Sequence, residues 1–276
     1  MINILMKFII FMTILILHGC SSGYEQIIIS GSTTIIPLIQ EVSNITKANI
    51  KINIITTSNG SITGLNDLII GKCDISASST KIPEDIEALA LERGVKIREK
   101  VFAKDLIVSI VNRKNPINNL GLTELKALFS GAKQNWSDFG GNKKPIVVVC
   151  RNRFSGTKEI WDKKVIGSNP SFTNGFEIRS SNSGILAYVE SNPNAIGYIS
   201  FEFINTEVKV LKINNIKPSV ENGIHGRYPI YRNLYFYMDE NRLTPAIKKF
   251  LVFMMSDTGR EIIKKSGLIP SGVKIN

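Results

Sequence analysis

The chain has 276 residues, 43% apolar and 21% charged, which fits one or two folded globular domains and excludes a disordered or fibrous chain. There are 34 Lys and Arg against 23 Asp and Glu, a net charge of +11. No basic cluster interleaved with aromatics accompanies that charge, so it argues for a basic surface and against nucleic acid as a partner.

The first segment reads as a targeting signal. Lys7 precedes an apolar run from Phe8 to Leu17 interrupted only by Thr13. The run is shorter than the roughly 20 residues of a membrane span and matches the hydrophobic middle of a secretion signal. Leu17-His18-Gly19-Cys20 follows and resembles a bacterial lipobox, with His18 where a small residue is usual. Residues 1–19 are therefore expected to be a signal peptide, with lipid attached at Cys20. Two further cysteines remain, Cys73 and Cys150.

Beyond the signal, strand and helix patterns alternate. Gln26–Ser30, Ile50–Thr57, Cys73–Ala77 and Asp105–Val111 read as strands. Helices are expected from Pro37 to about Asn44, over Ser61–Ile70, where apolar residues recur at 62, 65, 68 and 69, and over Pro83–Arg93. The middle continues with a helix at Thr123–Phe129, a buried strand at Pro145–Cys150 and a helix from Gly156 to about Lys163. A helix at Ser183–Glu190 and a strand at Ala195–Ile199 complete it. Glu207–Ile213 and Tyr228–Met238 are strand-like, and Thr244–Met255 and Asp257–Lys265 are helical. This rhythm predicts an α/β protein with mainly parallel sheets flanked by helices. The pattern changes after 105–111 and after 195–201, which suggests two lobes whose chain crosses between them twice.

Four segments rich in Gly, Ser and Thr each follow a predicted strand and open a predicted helix. They are Gly31–Thr34, Ser58–Gly64, Ser76–Thr80 and Ser155–Thr157. Helix starts offer unpaired N–H groups and a positive dipole end, and in open α/β sheets such loops gather where ligands bind. Each alone reads as an ordinary N-cap; four in one chain point to more than that. Arg151, at the end of the Ile-Val-Val-Val strand, adds a planar fork suited to tetrahedral oxyanions. No histidine cluster exists: His18 lies in the signal and His225 stands alone among glycines.

These motifs resemble, in order and spacing, those of the phosphate-binding proteins of bacterial ABC importers. The resemblance is carried by Gly31-Ser32-Thr33-Thr34-Ile35-Ile36-Pro37-Leu38, Ser61-Ile62-Thr63-Gly64, Asp74-Ile75-Ser76-Ala77-Ser78-Ser79, Arg151-Asn152-Arg153-Phe154-Ser155-Gly156-Thr157 and Asn194-Ala195-Ile196-Gly197-Tyr198. It implies a two-lobed fold of the type II periplasmic binding proteins with two hinge crossings. Lobe one would be residues 24–107 plus 203–276 and lobe two 108–202. It implies inorganic phosphate as ligand, held by Ser32, Thr33, Thr34, Ser61, Ser78 and Ser79 from lobe one and by Arg151, Ser155, Gly156 and Thr157 from lobe two. A disulfide between Cys73 and Cys150 would lock such a cleft, so both are expected to be free thiols.

It further implies no catalysis, no metal and no cofactor. The expected partners are the transmembrane permease subunits of an importer and, through the lipid anchor, a membrane facing the periplasm or cell exterior, with the protein itself a monomer. Three departures stand out. Ile62 and Phe154 replace glycines of the family pattern. Thr80-Lys81 follows the serine pair where many relatives have Arg, and Ser79 stands where others have an Asp that accepts a proton from the ligand. Another tetrahedral oxyanion, sulfate or molybdate, is the alternative ligand; a phosphatase-like enzyme is a more distant reading.

Overall fold

The computed structural model describes residues 23–167 and 176–272. The signal segment and Cys20 lie outside the described residues. In the first half, strands β1 (Glu25–Gly31), β2 (Ile52–Ser58) and β3 (Ile75–Ser78) are parallel, with β1 in the middle. They alternate with helices α1 (Ile36–Ile50), α2 (Ser61–Ile69) and α3 (Glu84–Glu92). The alternation of side chains along a strand explains why the middle of β1, Ile27 to Ile29, is apolar on both faces. Ile27 and Ile29 face one core with Leu38 and Val42 of α1 and with Phe250. Ile28 faces the opposite core, formed by Leu65 and Leu68 of α2 and Ile86 of α3.

Strand β4 (Ile97–Asn112) runs 16 residues and belongs to both halves. Its first part pairs antiparallel with β11 (Tyr231–Asp239), as far as Leu106 opposite Tyr231. From Ile107 it pairs antiparallel with β8 (Ala195–Ser200) instead. The sequence reading found only Asp105–Val111, because Arg98, Glu99 and Lys100 in succession resemble an exposed segment. In the second half β6 (Val147–Arg151) is parallel to both β8 and β7 (Glu177–Arg179). The parallel strands expected from the rhythm thus lie outward, and the strands that join the halves are antiparallel.

Helices α4 (Leu122–Phe129), α5 (Gly156–Trp161) and α6 (Asn182–Ser191) lie in this second half, whose core contains Phe129, Trp136, Trp161 and Tyr198. Trp161 stacks on Tyr198 with centroids 4.4 Å apart. Helices α8 (Pro245–Met255) and α9 (Asp257–Lys265) pack on the first half through Phe250 and Ile263. The expected boundary at 203 needs correction in its detail. Val208, Leu211, Ile213, Tyr228 and Ile230 pack into the second core, so the return to the first half begins only with β11. The reason is register: Val208–Val210 pairs with the end of β4, at Ile110–Asn112.

Candidate functional site

The carboxyl ends of β1, β3 and β6 converge. Gly31 makes this possible in the first half: its φ is 135°, and a Cβ there would lie 2.2 Å from the Ala77 carbonyl oxygen. Gly64 of α2 approaches as closely, with a virtual Cβ 2.5 Å from Gly31 Cα. Asp67 fixes the loop from below, accepting from Ser30 Oγ at 2.6 Å and Asn59 Nδ2 at 2.9 Å. Asp74 accepts from the Ile28 amide at 2.7 Å, the structural role a strand-end aspartate suggests.

Arg151 ends β6 and is 1% exposed. Its amide donates to Tyr198 Oη at 3.2 Å, so the aromatic stack of the second core sets the strand end. Its Nη2 donates to Thr33 Oγ1 at 2.9 Å and to the Ser180 carbonyl at 2.8 Å, and Nη1 to Asn182 Oδ1 at 3.4 Å. Its buried Nε has no partner, and none of its described partners is a carboxylate. Burial lowers its pKa to about 10, with the nearby charge of Arg232 adding to the shift, so it remains a cation at neutral pH.

Around it lie hydroxyls that accept hydrogen bonds from the protein. Ser32 Oγ accepts from the Thr34 amide at 3.2 Å. Thr34 Oγ1 accepts from Asn182 Nδ2 at 2.9 Å and from Arg232 Nη2 at 3.1 Å. Thr157 Oγ1 accepts from Arg232 Nη1 at 2.8 Å, and Ser155 Oγ from the Lys158 amide at 3.2 Å as the N-cap of α5. Among the described residues, Ser32, Thr33, Thr34, Ser155 and Thr157 donate to no protein acceptor. A hydroxyl has one proton to give, so this cluster holds buried donors in surplus. Ser61 and Ser79 join it: their hydroxyls are 3.0 Å apart and the Ser79 amide donates to Ser61 Oγ at 3.1 Å. Gly156 lies against both, since a Cβ on it would be 2.7 Å from each hydroxyl oxygen.

The ten residues singled out in sequence thus fall in or beside one place, with one difference in role. The Ser78 hydroxyl turns back to donate to the Thr80 carbonyl at 2.8 Å and stays out of the cluster. Lys81 is exposed. Ile62 and Phe154 meet: the Ile62 amide donates to the Phe154 carbonyl at 3.4 Å and joins the two halves at the rim. Sequence reasoning missed Asn182, Asp105 and Arg232. Asp105 and Arg232 form an ion pair at 2.7 Å, with side chains 0% and 1% exposed. The available signal was a charged residue inside an otherwise apolar strand pattern, at 105 and again at 232. Among the described residues no group of His, Cys, Asp and Glu is arranged to hold a metal. His225 is exposed at the end of helix α7 (Val220–Ile224).

The chain is similar to known proteins in sequence and in overall fold. The phosphate-binding protein PstS of Borreliella burgdorferi is 26% identical over 272 residues, covering 94% of this chain and 95% of the relative. PstS of Bacillus subtilis is 28% identical over 259 residues, covering 91% and 83%. A crystal structure of a phosphate ABC transporter substrate-binding protein from Clostridium perfringens, with bound phosphate, superposes with a TM-score of 0.84 at 29% identity, over 89% of this chain and 99% of that one. Residues 19–258 match the family model of the PBP superfamily domain, and the chain, a two-lobed α/β protein with its donor cluster between the halves, belongs to that superfamily.

Proposed function

We propose that this protein binds inorganic phosphate between its two lobes and hands it to the permease of an ABC importer. The observation that carries the reading is Arg151, a buried cation that bonds Thr33 beside the hydroxyl cluster and, among the described residues, has no carboxylate partner. An uncompensated buried charge is costly, and a tetrahedral anion supplies both the countercharge and the acceptors. The relatives named for phosphate, and the Clostridium perfringens protein solved with it, support phosphate over other oxyanions.

Ser32, Thr33, Thr34, Ser61 and Ser79 are the proposed contacts from the first lobe, Arg151, Ser155, Gly156 and Thr157 those from the second. The first two amides of α5 lack intrahelical acceptors and add donors. Ser78 contributes through the turn it forms. The relatives named as phosphate-binding proteins support a carrier rather than an enzyme. Among the described residues no helix is long and apolar enough to cross a membrane. Export as a monomer, with a lipid on Cys20 that anchors it to the membrane facing the periplasm or cell exterior, completes the proposal.

Isothermal titration with phosphate, sulfate and molybdate tests it. Phosphate is expected to bind most tightly; equal or tighter binding of sulfate or molybdate would reassign the ligand. Ser79 makes this comparison informative, because a hydroxyl can accept the ligand's proton but can equally donate to an unprotonated anion.

A further inference from the structure

The strands that join the two lobes hold a buried polar device that the anion contacts do not explain. Asp105 and Arg232 are direct cross-strand partners on β4 and β11, one residue before β4 changes neighbours from β11 to β8. Arg232 Nε and Nη2 donate to Asp105 Oδ2 at 2.9 and 2.7 Å, and Ser200 Oγ, at the end of β8, donates to Asp105 Oδ1 at 2.7 Å. One carboxylate thus ties together all three strands at the crossing. The guanidinium then reaches out of the hinge in two directions. Nη2 donates to Thr34 at the start of α1, in the first lobe, and Nη1 to Thr157 in α5, in the second.

We infer that Arg232 is the clasp of the closed cleft, a positioning residue that holds Thr34 and Thr157 together from the hinge and so sets how long the lobes stay shut. The inference rests on the phosphate-binding reading above. The chemistry fits the role. A planar fork can hold one carboxylate through two nitrogens while its remaining N–H groups point elsewhere. Asp105 cancels the charge of Arg232, so the pair adds hydrogen bonds to closure without adding net charge to the anion site. Thr34 and Thr157 can be bridged by one guanidinium only when the lobes are together. Arg232 sits on β11, so when the lobes part it can keep at most one of the two bonds, and closure gains at least the other, the condition for shifting that equilibrium.

Closure can be read directly by spin labels on Leu91→Cys in α3 and Glu190→Cys in α6, both exposed and in different lobes. The full-length chain carrying Cys20→Ser serves, because Cys73 and Cys150 are buried thiols and remain unlabelled. Two variants are compared with the parent. Arg232→Lys keeps a cation beside Asp105 but lacks the fork, and Thr157→Val leaves the ion pair intact. For Arg232→Lys the clasp predicts phosphate release faster by about tenfold for each charge-assisted bond lost and a nearly unchanged association rate, and for both variants a residual open population at saturating phosphate.

Weaker affinity with complete closure at saturation would make Arg232 a plain anion contact and overturn the clasp. A lowered melting temperature with release and closure unchanged would reduce it to a structural ion pair. If the parent itself ignores phosphate, the phosphate reading fails. The clasp is then judged on the ligand-free label distance, which must lengthen in Arg232→Lys, and an unchanged distance rejects it.

Discussion

Gly156 of the second half rests directly on Ser79 of the first, its virtual Cβ 2.7 Å from the Ser79 hydroxyl and 3.1 Å from the Ser79 carbonyl carbon. The backbone part of that contact cannot swing away as a side chain could. Gly156→Ala should therefore leave each half folded but hold the cleft ajar. Overpacking of this kind costs about 1–3 kcal/mol, so phosphate affinity should fall by about one to two decades with little change in melting temperature of the ligand-free protein. Titration calorimetry beside a thermal scan checks this; an unaltered affinity would mean the two loops do not need to meet for binding.

Arg151 should matter more for ligand than for fold. A hydrogen bond to a charged group is worth roughly 1.5–3 kcal/mol, so Arg151→Ala should weaken phosphate binding by about ten- to a hundredfold. Arg151→Lys should recover only part, since an ammonium cannot hold Thr33, the Ser180 carbonyl and the ligand with one planar group. Removing a buried cation that has no carboxylate partner should also leave the ligand-free protein as stable as before, or more so. Loss of stability with retained affinity would reverse the assignment.

Lipid attachment at Cys20 is tested by replacing it. Cys20→Ser should abolish incorporation of labelled fatty acid and release the protein from the membrane fraction or leave the signal uncleaved. Labelling that persists in the variant would place the anchor elsewhere.

Cys73 and Cys150 are both buried and free, one in each half. Burial pushes each thiol up to about 12, with Asp67 adding to the effect at Cys73. A thiol of that kind holds almost no thiolate at neutral pH and is inert. Thiol reagent should react with neither in the folded protein and with both after unfolding without reductant. A folded protein that reacts readily, or an unfolded one that does not react, would contradict this arrangement.

The sequence revealed those parts of the site that depend on local chemistry. Gly31, Gly64, Ser155 and Gly156 advertise themselves because tight turns, close approaches and helix caps demand small or capping residues at fixed positions. Arg151 was visible because an arginine ending an apolar strand has to be explained. Asn182 and Arg232 were not, because their contacts join Thr34, Thr157 and Arg151 across long stretches of chain. No local pattern encodes which strand will lie beside which. The same limit applies to the fold. Parallel β-α units were legible from periodicity, whereas the exchange of partners along β4 depends on register with β8 and β11. It also moved residues 208–230 to the second core. The Ser78 hydroxyl shows the opposite error: a serine in the right motif can serve its own turn.

Glu202 follows the end of β8, beside the Asp105–Arg232 pair, with its Oε1 buried and unpartnered. Burial raises its pKa to about 9; the charge of Asp105 adds to that and Arg232 only partly opposes it. In the unfolded chain the same group titrates at about 4.3. The folded protein therefore binds the proton more tightly than the unfolded one between these values, and stability must fall as pH rises through that window. The stabilisation is complete below about pH 4 and has gone above about pH 9. Asp105, also raised by burial, contributes in the same direction. Glu202→Gln keeps the size and polarity of the protonated acid and cannot ionise. Its melting temperature should match the parent near pH 5 and exceed it increasingly toward pH 9. Melting curves of parent and variant that stay parallel from pH 5 to about 9 would show that Glu202 ionises freely, and that the hinge carries no proton of its own.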